Sequence, residues 1–133
     1  YILKYLNVNV GTTTVSTATI RVEANGETLE ESATGDGPVS ATFRSIKRAL
    51  SISKEIKLEH YNVRSVTSGK DALGEVTLKL RMGDGIYTGK GVSTDTIKAS
   101  AIAYLDSLNN HKSINTKSKK LQMEYNESQN TIR

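Results

Sequence analysis

The stretch Glu75–Leu108, EVTLKLRMGDGIYTGKGVSTDTIKASAIAYLDSL, decides the fold. Val76, Leu78, Leu80 and Met82 alternate with Thr77, Lys79 and Arg81, the period-two pattern of a half-buried strand. Asp84-Gly85 reads as a hairpin turn, and a further strand follows from about Ile86 to Gly91. The period then changes. Ser93 or Thr94 is a good N-cap, and Asp95 suits the first turn of a helix because its charge complements the helix dipole. Ile97, Ala101, Tyr104, Leu105 and Leu108 fall on one helical face, and Asn109-Asn110 reads as the stop. With a strand from Leu58 to Thr67 in front, the unit is strand, strand, strand, helix.

The same unit occurs earlier in the chain. Leu6-Asn7-Val8 corresponds to Tyr61-Asn62-Val63 and Ile20-Arg21-Val22 to Leu78-Lys79-Leu80. Asn25-Gly26 corresponds to Asp84-Gly85, and Gly35-Asp36-Gly37 to Gly91-Val92-Ser93. The offset is 55 positions from Leu6 to Tyr61 and 59 from Asn25 to Asp84. Ala18, Ile20 and Val22 alternate, and Asn25-Gly26 is a strong type I′ hairpin signal because both turn positions need positive φ. A weaker, acidic strand spans about Glu27 to Ala33. Pro38 is well placed at a first helical position, and Val39, Phe43, Ile46 and Leu50 make an apolar stripe behind it. Two copies are too few for an open solenoid, so a closed pseudo-twofold pair is expected. The fold class is α+β: two βββα units with antiparallel sheets and helices on one face. In the first strand Ile2, Leu6, Val8 and Val10 alternate, with Lys4 the exception. Tyr1, Leu3 and Tyr5 fall on the opposite face, which suggests covering by a second copy and hence a dimer.

Length and charge narrow the function. The chain has 133 residues, enough for one core without staples. It has no cysteine, which excludes disulfides, thiolate metal sites and a cysteine nucleophile. No apolar run approaches the roughly 20 residues that span a bilayer. The chain opens on Tyr1 with strand-like sequence and no signal peptide, so it reads as an excised piece of a longer, cytoplasmic protein. Of the net charge of +4, residues 111–133 carry +3, through Lys112, Lys117, Lys119, Lys120 and Arg133 against Glu124 and Glu127. That is a basic polar tail, a solvated end with only Tyr125 among its lysines, and neither a nucleic-acid nor a membrane partner is expected.

Catalytic groups are scarce. His60 lies in a strand and His111 in the tail. Asp71, Glu75, Asp84 and Asp95 are each explained by a turn, a strand edge or a cap. No HExxH, GxSxG or P-loop pattern occurs. Two loops have ligand-binding chemistry. Thr34-Gly35-Asp36-Gly37-Pro38 runs into a helix N-terminus, where glycines permit close backbone approach and free N–H groups attract a carboxylate. Ser68-Gly69-Lys70-Asp71-Ala72-Leu73-Gly74 is long for a hairpin connection. A turn and a flexible connection are the plainer readings of the two.

Several separated motifs then point to a family. Gly35-Asp36-Gly37-Pro38-Val39, Tyr61-Asn62-Val63, Gly69 to Val76, Gly91-Val92-Ser93-Thr94-Asp95, Ala99-Ser100-Ala101 and Ala103-Tyr104-Leu105 occur in the order seen in one regulatory domain. The chain resembles, over about residues 1–110, the C-terminal regulatory domain of 2-isopropylmalate synthases, shared with citramalate synthases. The resemblance implies a dimer that binds the end-product amino acid of the pathway, in units of about 1–53 and 54–110, with 111–133 as a tail. It places the acyl transfer from acetyl-CoA in a separate N-terminal TIM barrel holding a divalent metal. This chain itself is then non-catalytic and without a cofactor.

The resemblance also implies an effector site. Gly35, Asp36, Gly37 and Pro38 match the loop whose backbone meets the effector, and Val39 and Ser40 the positions after it. Leu58 and Tyr61 match positions lining the effector side chain, and Ser65 one that is usually small or apolar. Asp71 and Ala72 match the loop closing over the amino-acid head group. Thr94 and Thr96 match positions near the same pocket. Leucine is the implied effector, favoured by Asp71 to Val76. The alternatives are isoleucine, as in citramalate synthases, and dimerisation without an effector.

Overall fold

The computed structural model describes residues 1–67, 69 and 72–131. The first sheet contains β1 (Ile2–Asn9), β2 (Ser16–Ala24) and β3 (Glu27–Gly35), and is followed by α1 (Pro38–Ala49). The second contains β4 (Ile56–Ser65), β5 (Gly74–Met82) and β6 (Gly85–Ser93), and is followed by α2 (Thr96–Thr131). Both sheets are antiparallel in the order of the chain, with β2 and β5 central. This is the α+β, twice-βββα architecture expected from the repeat.

Registers carry the duplication further than the motifs do. Val22 pairs with Leu3 and Leu29, and Ile20 with Leu6 and Glu31. Leu80 pairs with Leu58 and Tyr87, and Leu78 with Tyr61 and Gly89. Leu3 to Leu58 is 55 positions and Val22 to Leu80 is 58, so the β4–β5 connection is three residues longer than its counterpart. A bulge recurs at equivalent places, at Lys4 in β1 and Glu59 in β4. Because an extra residue reverses which side chains point inward, the facial assignment of the first strand needs correcting. Leu3 joins Leu6 and Val8 on the inner face, while Ile2 moves to the outer face with Tyr5. Tyr1 and Leu3 pack against the core, and Tyr5 lies under the Arg21 guanidinium at 4.6 Å. Those three residues therefore do not form one surface.

Two turn assignments also change. Asn25 and Gly26 both have positive φ, as a type I′ turn requires. In the second unit the turn residues are Gly83-Asp84, not Asp84-Gly85. Gly85 pairs with Met82, and only Gly83 has positive φ. At the start of α2 the cap is Asp95 rather than Ser93 or Thr94. Its Oδ1 accepts from the amides of Ile97 (2.9 Å) and Lys98 (3.3 Å). The predicted helix stop at Asn109-Asn110 is absent, and α2 continues to Thr131. Asparagine breaks helices mainly by bonding its own backbone. Here Asn109 accepts from Tyr1 N and donates to Tyr1 O, and Asn110 donates to Thr88 O. Residues 112–130, expected as a polar tail, are helical and exposed. No helix among the described residues is long and apolar enough to cross a membrane.

One core joins the units. Ile20, Val22 and Ile46 from the first half meet Val76, Leu78, Leu80, Tyr104 and Leu105 from the second. Glycines set how closely the helices approach. A Cβ on Gly89 would collide with Ala103 O and lie 2.6 Å from Ser107 N. One on Gly91 would collide with Ala99 O and lie 2.8 Å from Ala103 N. A Cβ on Gly35 would collide with Ala41 N. So α2 lies over β6 and β5, and α1 over β3 and β2.

The C-terminus of α1 is closed by a Schellman arrangement. Ser51 N donates to Arg48 O and Ile52 N to Lys47 O, with Ser51 at φ 52°. Serine there holds a conformation that glycine adopts without cost. Ser51→Gly should raise the unfolding free energy by up to about 1 kcal/mol in urea titration. Gly91→Ala should lower it by about 2 kcal/mol or more, because backbone must move to admit the methyl group. Gly37→Ala, where a Cβ meets nothing within 4 Å, should change it far less.

Candidate functional site

Placing each helix over the second and third strands of its sheet leaves the first strands differently covered. The inner face of β1 is met by α2, and Leu3 and Leu6 are half-buried against the core. The equivalent face of β4 is open. Leu58, Tyr61 and Val63 point inward by register, opposite buried Leu80, Leu78 and Val76, yet remain 43%, 36% and 44% exposed.

Tyr61 is the hub of this face. Its hydroxyl lies 2.6 Å from Ser100 Oγ in α2, and Ser100 Oγ in turn donates to Thr96 O. Its ring meets Phe43 of α1 edge-on at 6.5 Å. Phe43 also stacks on Tyr104 at 4.4 Å. One strand and both helices therefore converge on Tyr61. Burial pushes the Tyr104 phenol well above its usual range.

The predicted effector residues divide on this framework. Tyr61 reaches the carbonyl of Thr96 through Ser100, and Leu58 lies on the same face of β4 as Tyr61. Ser65 pairs with Gly74, whose open side faces Thr96 Oγ1, so Ser65 belongs to the same edge. Val39 is half-buried one helical turn before Phe43, whereas Ser40, Asp36 and Thr94 are exposed. Ala72 is half-buried in the β4–β5 connection, and Asp71 lies outside the described residues. Gly35 has a packing role: a Cβ there would collide with the backbone of α1 at Ala41 N. Gly37 is the N-cap of α1, extended at φ −156° and open on its Cβ side, with Pro38 at the first helical position.

The two helix starts differ electrostatically. Asp95 already occupies the first amides of α2, and Ser93 Oγ accepts from Asp95 N. No side chain caps α1, so the amides of Val39 and Ser40 keep their donors free for an anion. Of the two ends, only that of α1 is equipped to take a carboxylate. The residues that sequence reasoning missed are Val63, Phe43 as a partner of Tyr61, and Ser100. A Tyr-to-Ser contact between elements leaves no periodic signal, and Phe43 read simply as core.

Cavities in the described surface lie elsewhere. One of about 490 Å³ is bounded by Ile52, Lys54, Met82, Lys112 and Lys119 and includes none of the predicted effector positions. Among the described residues no three His, Asp or Glu side chains gather as metal ligands would.

Comparison with known proteins gives the context. Residues 1–112 match the family described as the LeuA allosteric (dimerisation) domain. The chain belongs to that family. It is 46% identical over 109 residues to the 2-isopropylmalate synthase of Ruminiclostridium cellulolyticum, covering 82% of this chain and 21% of that protein. It is 48% identical over 110 residues to the Carboxydothermus hydrogenoformans 2-isopropylmalate synthase, covering 82% and 21%. With the Pyrococcus furiosus 2-isopropylmalate synthase it shares 50% over 96 residues, covering 71% and 19%. The chain thus spans about a fifth of the length of these relatives. It is a regulatory, dimerisation-type domain of the 2-isopropylmalate synthase family.

For this LeuA-type domain, the buried Tyr104 phenol gives a pH dependence with a definite sign. The folded state holds the proton to higher pH than the unfolded chain, whose tyrosines ionise near 10. The contribution of Tyr104 to stability should therefore be constant below about pH 10 and fall above it, by up to about 1.4 kcal/mol per pH unit. Thermal melts from pH 8 to 11 should show Tyr104→Phe to be less sensitive at the alkaline end than the unaltered chain.

Proposed function

We propose that this domain binds leucine and, as a homodimer, transmits feedback inhibition to a catalytic domain that performs the 2-isopropylmalate synthase condensation in the cytoplasm. The observation that carries the reading is the open apolar face of β4, joined to α1 through Phe43 and Tyr61, in a chain whose α1 start has no side-chain cap. An amino acid needs an anion site, a cation site and an apolar surface, all within a few ångströms. The amides of Val39 and Ser40 would take its carboxylate. Asp36 or Asp71 would take its ammonium, and Leu58 and Tyr61 its side chain. Leucine leads isoleucine because the relatives carry the name 2-isopropylmalate synthase. The divalent metal of the condensation belongs to that catalytic domain and not to this chain.

A second copy would complete the site by covering Leu58, Tyr61 and Val63. The exposure of these three residues at an edge strand supports that geometry. Regulation then follows from linkage. An effector that binds one arrangement of the dimer more tightly shifts the population toward it, and a coupling of about 1–3 kcal/mol is enough to matter. Dimerisation without an effector is the second reading, favoured by the position of the 490 Å³ cavity away from the predicted residues.

Calorimetric titration of the folded domain with leucine, isoleucine and valine should show leucine binding most tightly, and Asp71→Ala should weaken it by about tenfold or more. No heat from any of the three would leave the dimerisation reading alone. Leu58→Asp should abolish pairing through β4, read as loss of the concentration-dependent protection of Tyr61 and Val63 from hydroxyl-radical labelling. Val92→Asp, on the outer face of β6, should leave the dimer intact.

A further inference from the structure

The family match ends at residue 112, but α2 continues for roughly five more turns to Thr131. From Lys112 onward the described side chains are exposed, so no core supports this segment. A free helix of this length is marginal in water. Most of its large apolar residues are arranged along one line, with Met123 on the opposite side. Ile114, Ser118, Leu121 and Tyr125 fall within an arc of about 60° at 100° per residue. Ile114, Leu121 and Tyr125 are 51%, 65% and 60% exposed. The opposite side of the helix, with Lys112, Asn115, Thr116 and Lys119, turns toward Ile52 and Met82 across the cavity. Seven residues on from Ser107, which donates to Tyr87 O, the stripe continues the sheet-facing side of α2, and there its large side chains are exposed.

We propose that this stripe is a docking seam for the same helix of a second copy, packed antiparallel. In heptad terms Ser118 and Tyr125 take a positions, and Ile114 and Leu121 take d positions. Antiparallel pairing sets each large residue against a complementary neighbour: Ile114 meets Tyr125 of the second copy, and Leu121 meets Ser118. The same register puts Lys117 opposite Glu124, and twofold symmetry makes that pair twice. No charge along the seam faces a like charge. Parallel pairing would set Ser118 on Ser118 and Tyr125 on Tyr125. It would place Lys117 and Glu124 against uncharged Gln122 and Gln129. Charge complementarity thus selects the antiparallel form. Neither Lys117 nor Glu124 has an ion-pair partner among the described residues. The seam is separate from the effector site and does not require pairing through β4.

The chain has no cysteine, which makes directed crosslinking clean. Full-length Ile114→Cys and Tyr125→Cys chains are mixed and oxidised gently. The expected product is the mixed disulfide, in about tenfold excess over either homodimer. It should persist when both chains also carry Leu58→Asp, which removes β4 pairing, and be lost with Leu121→Asp. Lys117→Glu should slow its formation about tenfold, and Lys117→Glu with Glu124→Lys should restore it. A dominant Ile114→Cys homodimer would overturn the antiparallel register. Absence of crosslinks, or a mixed disulfide unaffected by Leu121→Asp, would overturn the seam. So would binding of the unaltered chain to anionic phospholipid vesicles with no mixed disulfide formed, which would assign the stripe to a membrane surface.

Discussion

The close approach of helix backbone to glycine in the third strand of each unit governs the rest of this structure. Gly89 and Gly91 leave no room for a Cβ beneath α2, and Gly35 leaves none beneath α1. Each helix is drawn toward one side of its sheet as a result. The space vacated over the first strand of each unit must be filled by something else. Over β1 it is filled by α2. Over β4, Phe43 and the hydroxyl contact with Ser100 reach across to Tyr61. The asymmetry of an otherwise duplicated fold is therefore concentrated at one strand.

That asymmetry connects packing to function. Two units folded around one core would, if fully symmetric, cover both first strands equally. Here one half retains an apolar strip of Leu58, Tyr61 and Val63 while its counterpart is half-buried. A chain of this size gains from removing such a strip from water, at about 25 cal/mol per Å². It reaches α1 through the Phe43–Tyr61 contact, and α1 is the helix whose first amides are unclaimed, since Asp95 has occupied those of α2. The effector site proposed above draws on both features. The alternation of capped and uncapped helix starts also explains why a single site per chain, rather than one per repeat, is the economical reading.

Much of this was legible in the residues. The alternation of Val76, Leu78, Leu80 and Met82, the Asn25-Gly26 turn, Pro38 and the repeat itself set the strands, helices and fold class. What escaped was local and has physical causes. The bulges at Lys4 and Glu59 reverse facial assignments, and a pattern read by strict alternation registers them only as exceptions such as Lys4. The asparagines at 109 and 110 looked like a stop because their partners, Tyr1 and Thr88, are distant in sequence. In the site, the resemblance named Leu58 and Tyr61, which share one face of β4, and Thr96, whose carbonyl is tied to Tyr61 through Ser100. It also carried over Gly35, whose role is to admit a helix. Contacts between elements, such as Tyr61 with Ser100, have no signature along the chain.

We expect the inner face of β4, open in the single chain, to be covered by a second copy. Hydroxyl-radical footprinting of Leu58, Tyr61 and Val63 across a range of protein concentrations tests it directly. The account predicts that labelling of these three residues falls together as concentration rises, while labelling of Ile86 and Val92 on the outer face of the same sheet stays constant. Equal labelling of all five residues at every concentration, in a chain shown to be dimeric, would contradict it.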